Sequence, residues 1–227
     1  MMHAPRGVVF DLDGTLIDSG GDIVAAVNHA LEVNDRRALP SSTVLRFVGD
    51  GARQLCARAA GLPEKHPDVE AILQTYLEYY LEHPADHTRW MPHARAVLDE
   101  LRLYRLAIAT NKPRKTTDAV LERLGVRSLF SAISAAGDLP EIKPSPRPIL
   151  EIGKRLGMEA SQMVVVGDGP QDIEAGRRAG CRTIGVQGGF LSPERLVASQ
   201  PDVLIDSLAE VPAILRRWAD ATVKAKS

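Results

Sequence analysis

The segment Asp11-Leu12-Asp13-Gly14-Thr15-Leu16-Ile17-Asp18-Ser19 holds the densest chemistry in the chain. Asp11 and Asp13 stand two residues apart, so an extended backbone projects both carboxylates to one side. Two carboxylates crowded together stay ionised only at a cost unless a cation lies between them, and their titrations are coupled. The pair points either to a hard divalent metal, with Mg²⁺ the expected ion, or to an acid–base couple. Taken alone, Asp-Gly also marks a turn, and Asp and Ser cap helices. A third acid, Asp168, stands in Val166-Gly167-Asp168-Gly169-Pro170-Gln171-Asp172, and Asp172 follows four residues on, one turn away if a helix begins there. Oxygen-only donors of this kind suit Mg²⁺, although either acid singly could be a helix cap.

A metal among carboxylates calls for an anionic oxygen ligand, and three further residues could hold a phosphate. Thr110 offers a hydroxyl, Asn111 an amide, and Lys143 an ammonium in Glu141-Ile142-Lys143-Pro144-Ser145-Pro146, where the prolines cannot extend a helix. A loop lysine is ordinarily just solvated; Lys143 gains weight from its company. At ~4 Å and an effective dielectric of ~20, an ammonium and a phosphoryl oxygen interact by roughly 4 kcal/mol. Confined to the transition state, that is worth about three decades in rate.

The elements that must position these groups are legible in the apolar runs. Gly7-Val8-Val9-Phe10 stops at Asp11, Arg105 to Ala109 at Thr110, and Met163 to Val166 at Gly167-Asp168. Short β-branched runs of this type read as buried parallel strands. Arg182 to Val186 and Val203 to Ile205 bring the expected number of strands to about five, with Ser207 placed to cap a final helix. Helical patterns lie between them, so the fold class is α/β, a doubly wound, mostly parallel, Rossmann-like sheet. Ligands in such sheets collect beyond the carboxyl ends of the strands, where every candidate above falls.

From about Ser19 to His87 the alternation stops and only helical periodicity remains. Val69, Ile72, Leu73, Tyr76, Leu77, Tyr80 and Leu81 form an apolar stripe, which assigns the tyrosines to the core of a small helical domain. Gly176 and Ala179 give the helix after Asp172 a small face for close packing on the sheet. His93 reads as a surface or hinge residue, and Thr222 to Ser227 as a frayed tail.

Composition sets the outer limits. Among 227 residues, 28 Lys and Arg against 29 Asp and Glu leave no positive field for a polyanion, so nucleic acid is not the expected partner. No apolar run approaches ~18 residues, no secretory leader is legible, and neither a membrane span nor a membrane partner is expected. Cys56 and Cys181 lack metal-ligand spacing and read as small core hydrophobes of a reducing compartment, taken here as the cytoplasm.

Asp11 to Ser19, then Thr110 with Asn111, then Lys143-Pro144, then Gly167-Asp168 with Asp172, in this order at strand ends, together resemble the haloacid dehalogenase superfamily of phosphohydrolases. The resemblance implies an inserted helical cap domain at 19–88 on an α/β catalytic core of 1–18 and 89–227. It implies that Asp11 is a nucleophile forming an aspartyl-phosphate and Asp13 the general acid and base. Mg²⁺ would be held by Asp11, Asp13 through its carbonyl, Asp168 and Asp172, while Thr110 and Lys143 grip the phosphoryl group, with Gly14 and Asn111 also against the substrate. An Asp at position 13 matches hydrolytic members and excludes dehalogenation.

Phe47-Val48-Gly49-Asp50-Gly51-Ala52, Thr110-Asn111-Lys112-Pro113 and Gly137-Asp138-Leu139-Pro140 are similar to phosphoglycolate phosphatases. This resemblance implies a small phosphorylated metabolite as partner, most closely 2-phosphoglycolate, with Gly49, Asp50, Gly51 and Arg53 facing its carboxylate. Sugar-phosphate phosphatase, nucleotidase, pyrophosphatase and phosphohexose mutase are the alternatives within the class. A receiver-like phospho-switch would need neither Asp13 nor a long helical insert, and an inactive binding homologue would not need the full set of catalytic groups. Gly169-Pro170 and Met91-Pro92-His93 depart from the pattern of the superfamily.

Overall fold

The computed structural model describes residues 3–224. Its elements run β1 (Gly7–Phe10), β2 (Ile17–Asp18), α1 (Gly20–Val33), α2 (Ser41–Leu45), α3 (Ala52–Ala60), α4 (Pro67–Glu82), β3 (Arg89–Trp90), α5 (Ala94–Glu100), β4 (Arg105–Pro113) and α6 (Arg114–Arg123). They continue with β5 (Ala132–Ala136), α7 (Arg147–Leu156), β6 (Met163–Gly167), α8 (Pro170–Ala179), β7 (Arg182–Val186), α9 (Pro193–Ala198), β8 (Val203–Ile205) and α10 (Val211–Lys224). Six strands pair in parallel in the order β5-β4-β1-β6-β7-β8, the expected doubly wound sheet.

The two faces of this sheet follow from the period of two. Val8, Phe10, Leu106, Ile108, Val164 and Val166 enter one apolar cluster, with Val120 and Leu121 of α6 and Leu215 of α10. The intervening Val9, Ala107, Ala109 and Val165 face the other way, against Ile149 and Ile152 of α7 and Ala175 of α8. Both faces are covered, which is why these strands read as continuous apolar runs. Gly176 serves the second face as expected: a Cβ there would stand 2.8 Å from Thr183 Cγ2 and 3.0 Å from Val165 Cβ.

β1 sits between β4 and β6, so the chain crosses from one flank of the sheet to the other around the strand that delivers Asp11. Positions 11 and 168, just past the ends of β1 and β6, thereby lie beside position 110, which β4 carries where its pairing with β5 slips register after Ala109; the strand runs on to Pro113 and does not stop at Thr110 as expected. Between β2 and β3, which pair antiparallel through Ile17 with Trp90 and Asp18 with Arg89, the chain forms only the helices α1 to α4. Val69, Ile72, Tyr76 and Tyr80 of α4 are buried, whereas Leu81 at the stripe's end is 39% exposed.

Two expectations are corrected, and one short pair of strands carries no mark in the sequence. β5, an alanine-rich edge strand, has Ile133 as its one β-branched residue, too little to mark it, so the sheet has six strands where about five are expected. The pair β2 and β3 is too short to leave a periodic signal. Thr222 belongs to α10, its hydroxyl donating to the Trp218 carbonyl at 2.8 Å, and the helix continues to Lys224; residues 225–227 of the expected tail lie outside the described residues. Cys56 and Cys181 are buried free thiols, each pushed up to about 12 by burial, as core residues should be. No helix among the described residues is long and apolar enough to cross a membrane.

Candidate active site

Asp11 continues the β1 register, its N–H donating to the Val166 carbonyl at 2.9 Å, and the chain then turns sharply. Gly14 adopts φ +90°, and a Cβ at this position would lie 2.5 Å from Asp168 Oδ2. The turn therefore brings the first motif onto the end of β6 at a distance only glycine allows. Asp168 accepts a hydrogen bond from the Thr15 hydroxyl at 2.9 Å and one from the Phe190 N–H at 3.2 Å. In the first turn of α8, Asp172 points back toward β6 and accepts the Gly169 N–H at 3.0 Å.

Asp11, Asp168 and Asp172 each bring a carboxylate oxygen within 4.8 Å of the others, and all three residues are buried. Lys143 arrives from the loop before α7. Its ammonium donates to Asp11 Oδ1 at 2.6 Å, to Asp172 Oδ1 at 2.6 Å and to the Ala109 carbonyl at 2.5 Å. Burial, reinforced by the charges of Asp172 and Asp168, pushes the Asp11 carboxyl well above the usual range against the pull of Lys143. Burial and the Asp172 charge push Asp168 up to about 7. Burial works against the Lys143 ammonium too, but Asp11 and Asp172 outweigh it and hold the group above its ordinary value. Three carboxylates facing one ammonium leave the site short of positive charge, and its oxygen donors fit a hard divalent cation.

Asp13 stands apart from this triad. Its Oδ1 accepts the Ser19 hydroxyl at 2.5 Å and the Lys112 ammonium at 3.0 Å, and Lys112 also reaches Oδ2 at 3.3 Å. Any contribution of Asp13 to the cation therefore falls to its backbone.

A cavity of about 50 Å³ opens over these groups, lined among others by Asp11, Asp13, Thr110, Asp168, Gly49 and Gly51. On a scale where one water needs roughly 10–15 Å³, it has room for a few waters or a group of that size. Two larger depressions lie elsewhere, but neither is lined by any of the clustered acids.

The structure revises several placements. Arg53 does not line the cavity; its guanidinium pairs with Glu70 on α4. Asp50 likewise turns away, to Arg58 at 2.7 Å. Asn111 lines the cavity but commits its amide elsewhere, donating to the Gly49 and Lys143 carbonyls at 2.9 and 2.8 Å and accepting the Lys143 N–H at 2.9 Å. It braces the Lys143 loop and the Gly49 turn. Gly14 is spent on Asp168. Lys112, Gln171, Phe190 and Leu191 line the cavity without having been expected there, and so does Tyr76, which the helical stripe assigned to packing alone. Lys112 was legible only as the neighbour of Thr110 and Asn111; nothing in the sequence marks Gln171, Phe190 or Leu191.

A parallel α/β sheet that gathers carboxylates and a buried lysine beneath a helical segment defines a hydrolase of the doubly wound class. The model of the haloacid dehalogenase-like hydrolase family matches residues 8–186, and the chain belongs to that family. It is 34% identical over 215 residues to the phosphoglycolate phosphatase of Haemophilus influenzae strain Rd, covering 91% of this chain and 96% of that protein. The phosphoglycolate phosphatase of Salmonella paratyphi A is 34% identical over 232 residues, with 92% of each chain covered. A crystal structure described as a predicted phosphoglycolate phosphatase from Haemophilus somnus superposes with a TM-score of 0.84 at 29% identity, covering 94% of this chain and 99% of that one.

Proposed function

We propose that this chain is a Mg²⁺-dependent phosphatase of small phosphate monoesters, with 2-phosphoglycolate as its preferred substrate. The observation that carries the reading is the buried Lys143 ammonium seated 2.6 Å from both Asp11 and Asp172, with Asp11 itself lining a small cavity. The names of the similar proteins support the choice of substrate.

In this reading Asp11 attacks phosphorus in line, the bond from phosphorus to the leaving oxygen breaks, and Asp13 gives that oxygen its proton. Water then attacks the phosphoryl-Asp11, Asp13 takes up the water's proton, and the Asp11 carboxylate departs as phosphate is released. Lys143 offsets the repulsion between an anionic nucleophile and an anionic substrate, and Thr110 holds a phosphoryl oxygen. Asp11, Asp168, Asp172 and the Asp13 carbonyl are the groups to hold Mg²⁺, which when bound supplies positive charge against the phosphoryl oxygens.

Residues 19–88 act as a cap over a core formed by 1–18 and 89–227, closing over the substrate and shutting out bulk solvent while leaving the one hydrolytic water that Asp13 activates. The backbone N–H groups of the Gly49 to Gly51 turn face the carboxylate end of the substrate. The partner in this reading is a small phosphorylated metabolite, and the compartment proposed is the cytoplasm, whose reducing conditions suit the free thiols Cys56 and Cys181.

The test is phosphate release from a panel of phosphorylated metabolites with Mg²⁺ and with EDTA. The reading expects 2-phosphoglycolate to give the highest kcat/KM and EDTA to abolish turnover until Mg²⁺ is restored. Equal rates across unrelated monoesters would remove the substrate assignment, and full activity in EDTA would remove the metal.

A further inference from the structure

Lys112 is the cavity's unexplained cation. Its side chain is 3% exposed, a costly place for an ammonium. Its side-chain partners come from two separate parts of the chain. On one side it donates to both oxygens of Asp13, at 3.0 and 3.3 Å. On the other it donates to the Tyr80 hydroxyl at 2.8 Å, a group carried by α4. Tyr80 is itself fully buried, so that hydroxyl is fixed by packing. Asp13 is gripped in turn by Ser19, the residue that leads into α1, at 2.5 Å.

The geometry points to Lys112 as a positioning residue for Asp13, with Tyr80 as its anchor on the helical segment. Two carboxylate oxygens held by one ammonium have a fixed plane, and the ammonium is fixed only while α4 lies where it does. Asp13 is thus oriented jointly by the sheet end that carries Lys112 and by the helices that carry Tyr80. In its acid form Asp13 keeps the ammonium on one oxygen and carries the proton on the other; that proton's alignment with the leaving oxygen is worth rate where the leaving group needs a proton and little where it does not. A methionine would fill the same space without the cost of a buried charge, which gives the lysine a role beyond packing.

The inference rests on the phosphatase reading, and the test separates the two. Ethyl phosphate and acetyl phosphate are nearly the same size, but ethoxide needs protonation to leave and acetate does not. The value of kcat/KM for each reports the step in which the leaving group departs and excludes the shared hydrolysis of phosphoryl-Asp11. Lys112→Met is expected to lower the ratio of ethyl to acetyl phosphate at least ~10-fold, within the ~10²–10⁴-fold that a general acid supplies. Tyr80→Phe, which removes one hydroxyl from a ring that stays buried, is expected to lower it ~2–10-fold, the worth of one hydrogen bond. It carries the comparison by itself if Lys112→Met does not fold.

An unchanged ratio, with both substrates slowed together or neither, overturns the inference and leaves the phosphatase reading standing. So does a loss confined to 2-phosphoglycolate, which would make Lys112 a ligand of the substrate carboxylate. Wild-type protein that releases phosphate from none of the three overturns the phosphatase reading and the inference with it.

Discussion

Replacing Lys143 with methionine tests the electrostatics of the site before any chemistry is measured. The ammonium, 3% exposed, sits 2.6 Å from Asp11 and 2.6 Å from Asp172, and Asp168 completes a triad with a third carboxylate. At an effective dielectric of ~20, each 2.6 Å contact is worth about 6 kcal/mol of gross attraction, much of it offset by desolvation. Removing one partner of a buried pair costs about 3–5 kcal/mol, because the other charge stays behind uncompensated. For a chain of this size each kcal/mol moves Tm by about 2–4 °C, so Lys143→Met should melt roughly 6–20 °C below wild type in EDTA. Millimolar Mg²⁺ should narrow that gap, since a cation bound to the three acids replaces the missing charge, while phosphatase activity stays depressed by about three decades. The assay is calorimetry of both proteins, with and without Mg²⁺. A variant as stable as wild type in EDTA would refute the reasoning, because Lys143 would then not compensate the acids.

Other perturbations probe different contacts. Gly14→Ala puts a methyl group 2.5 Å from Asp168 Oδ2 at φ +90°, so Asp168 must move; the Mg²⁺ concentration for half-maximal activity should rise ~10–100-fold in a metal titration, and an unchanged value would show that Asp168 is not a ligand. Asp138 accepts Arg114 Nε at 2.8 Å and the Ala135 N–H at 3.0 Å, and the Arg114 hydrogen bond holds its carboxyl below the usual range. Its stabilisation is therefore present above the unfolded carboxyl value of about 4 and is lost as pH falls through the lower folded value. Asp138→Asn should cost roughly 1 kcal/mol at neutral pH, and the difference from wild type in urea denaturation should vanish in acid. A difference that persists below that range would assign the effect to something other than charge.

The strands that carry Asp11, Thr110 and Asp168 were legible because a strand buried on both faces must be apolar throughout and can turn polar only at its end. That rule located the site without any knowledge of its geometry. It failed at β5, where Ile133 stands alone among Ala132, Ser134, Ala135 and Ala136 and the strand is defined by pairing with β4. Lys143 was recognised by its neighbours in sequence, but its two carboxylate partners lie 132 and 29 residues away, and only the fold decides that they meet. Arg53 shows the converse. A cation two residues past a Gly-x-Gly turn suggests an anion site, yet α3 turns its guanidinium toward Glu70 on α4. Side-chain direction on a helix depends on the neighbour it packs against, and a motif does not encode that neighbour. Lys112 carries no mark of its role in the sequence for the same reason, since Tyr80 stands 32 positions away on another element.

The central claim is that Asp11 carries the phosphoryl group. The direct measurement is mass spectrometry of the protein quenched in acid during turnover of 2-phosphoglycolate with Mg²⁺, digested and read at the peptide containing Asp11. The account predicts one phosphoryl group on that peptide in the wild type, none in Asp11→Asn, and no phosphate release by that variant. Phosphate release that proceeds with Asp11 never modified, or that survives in Asp11→Asn, would contradict it.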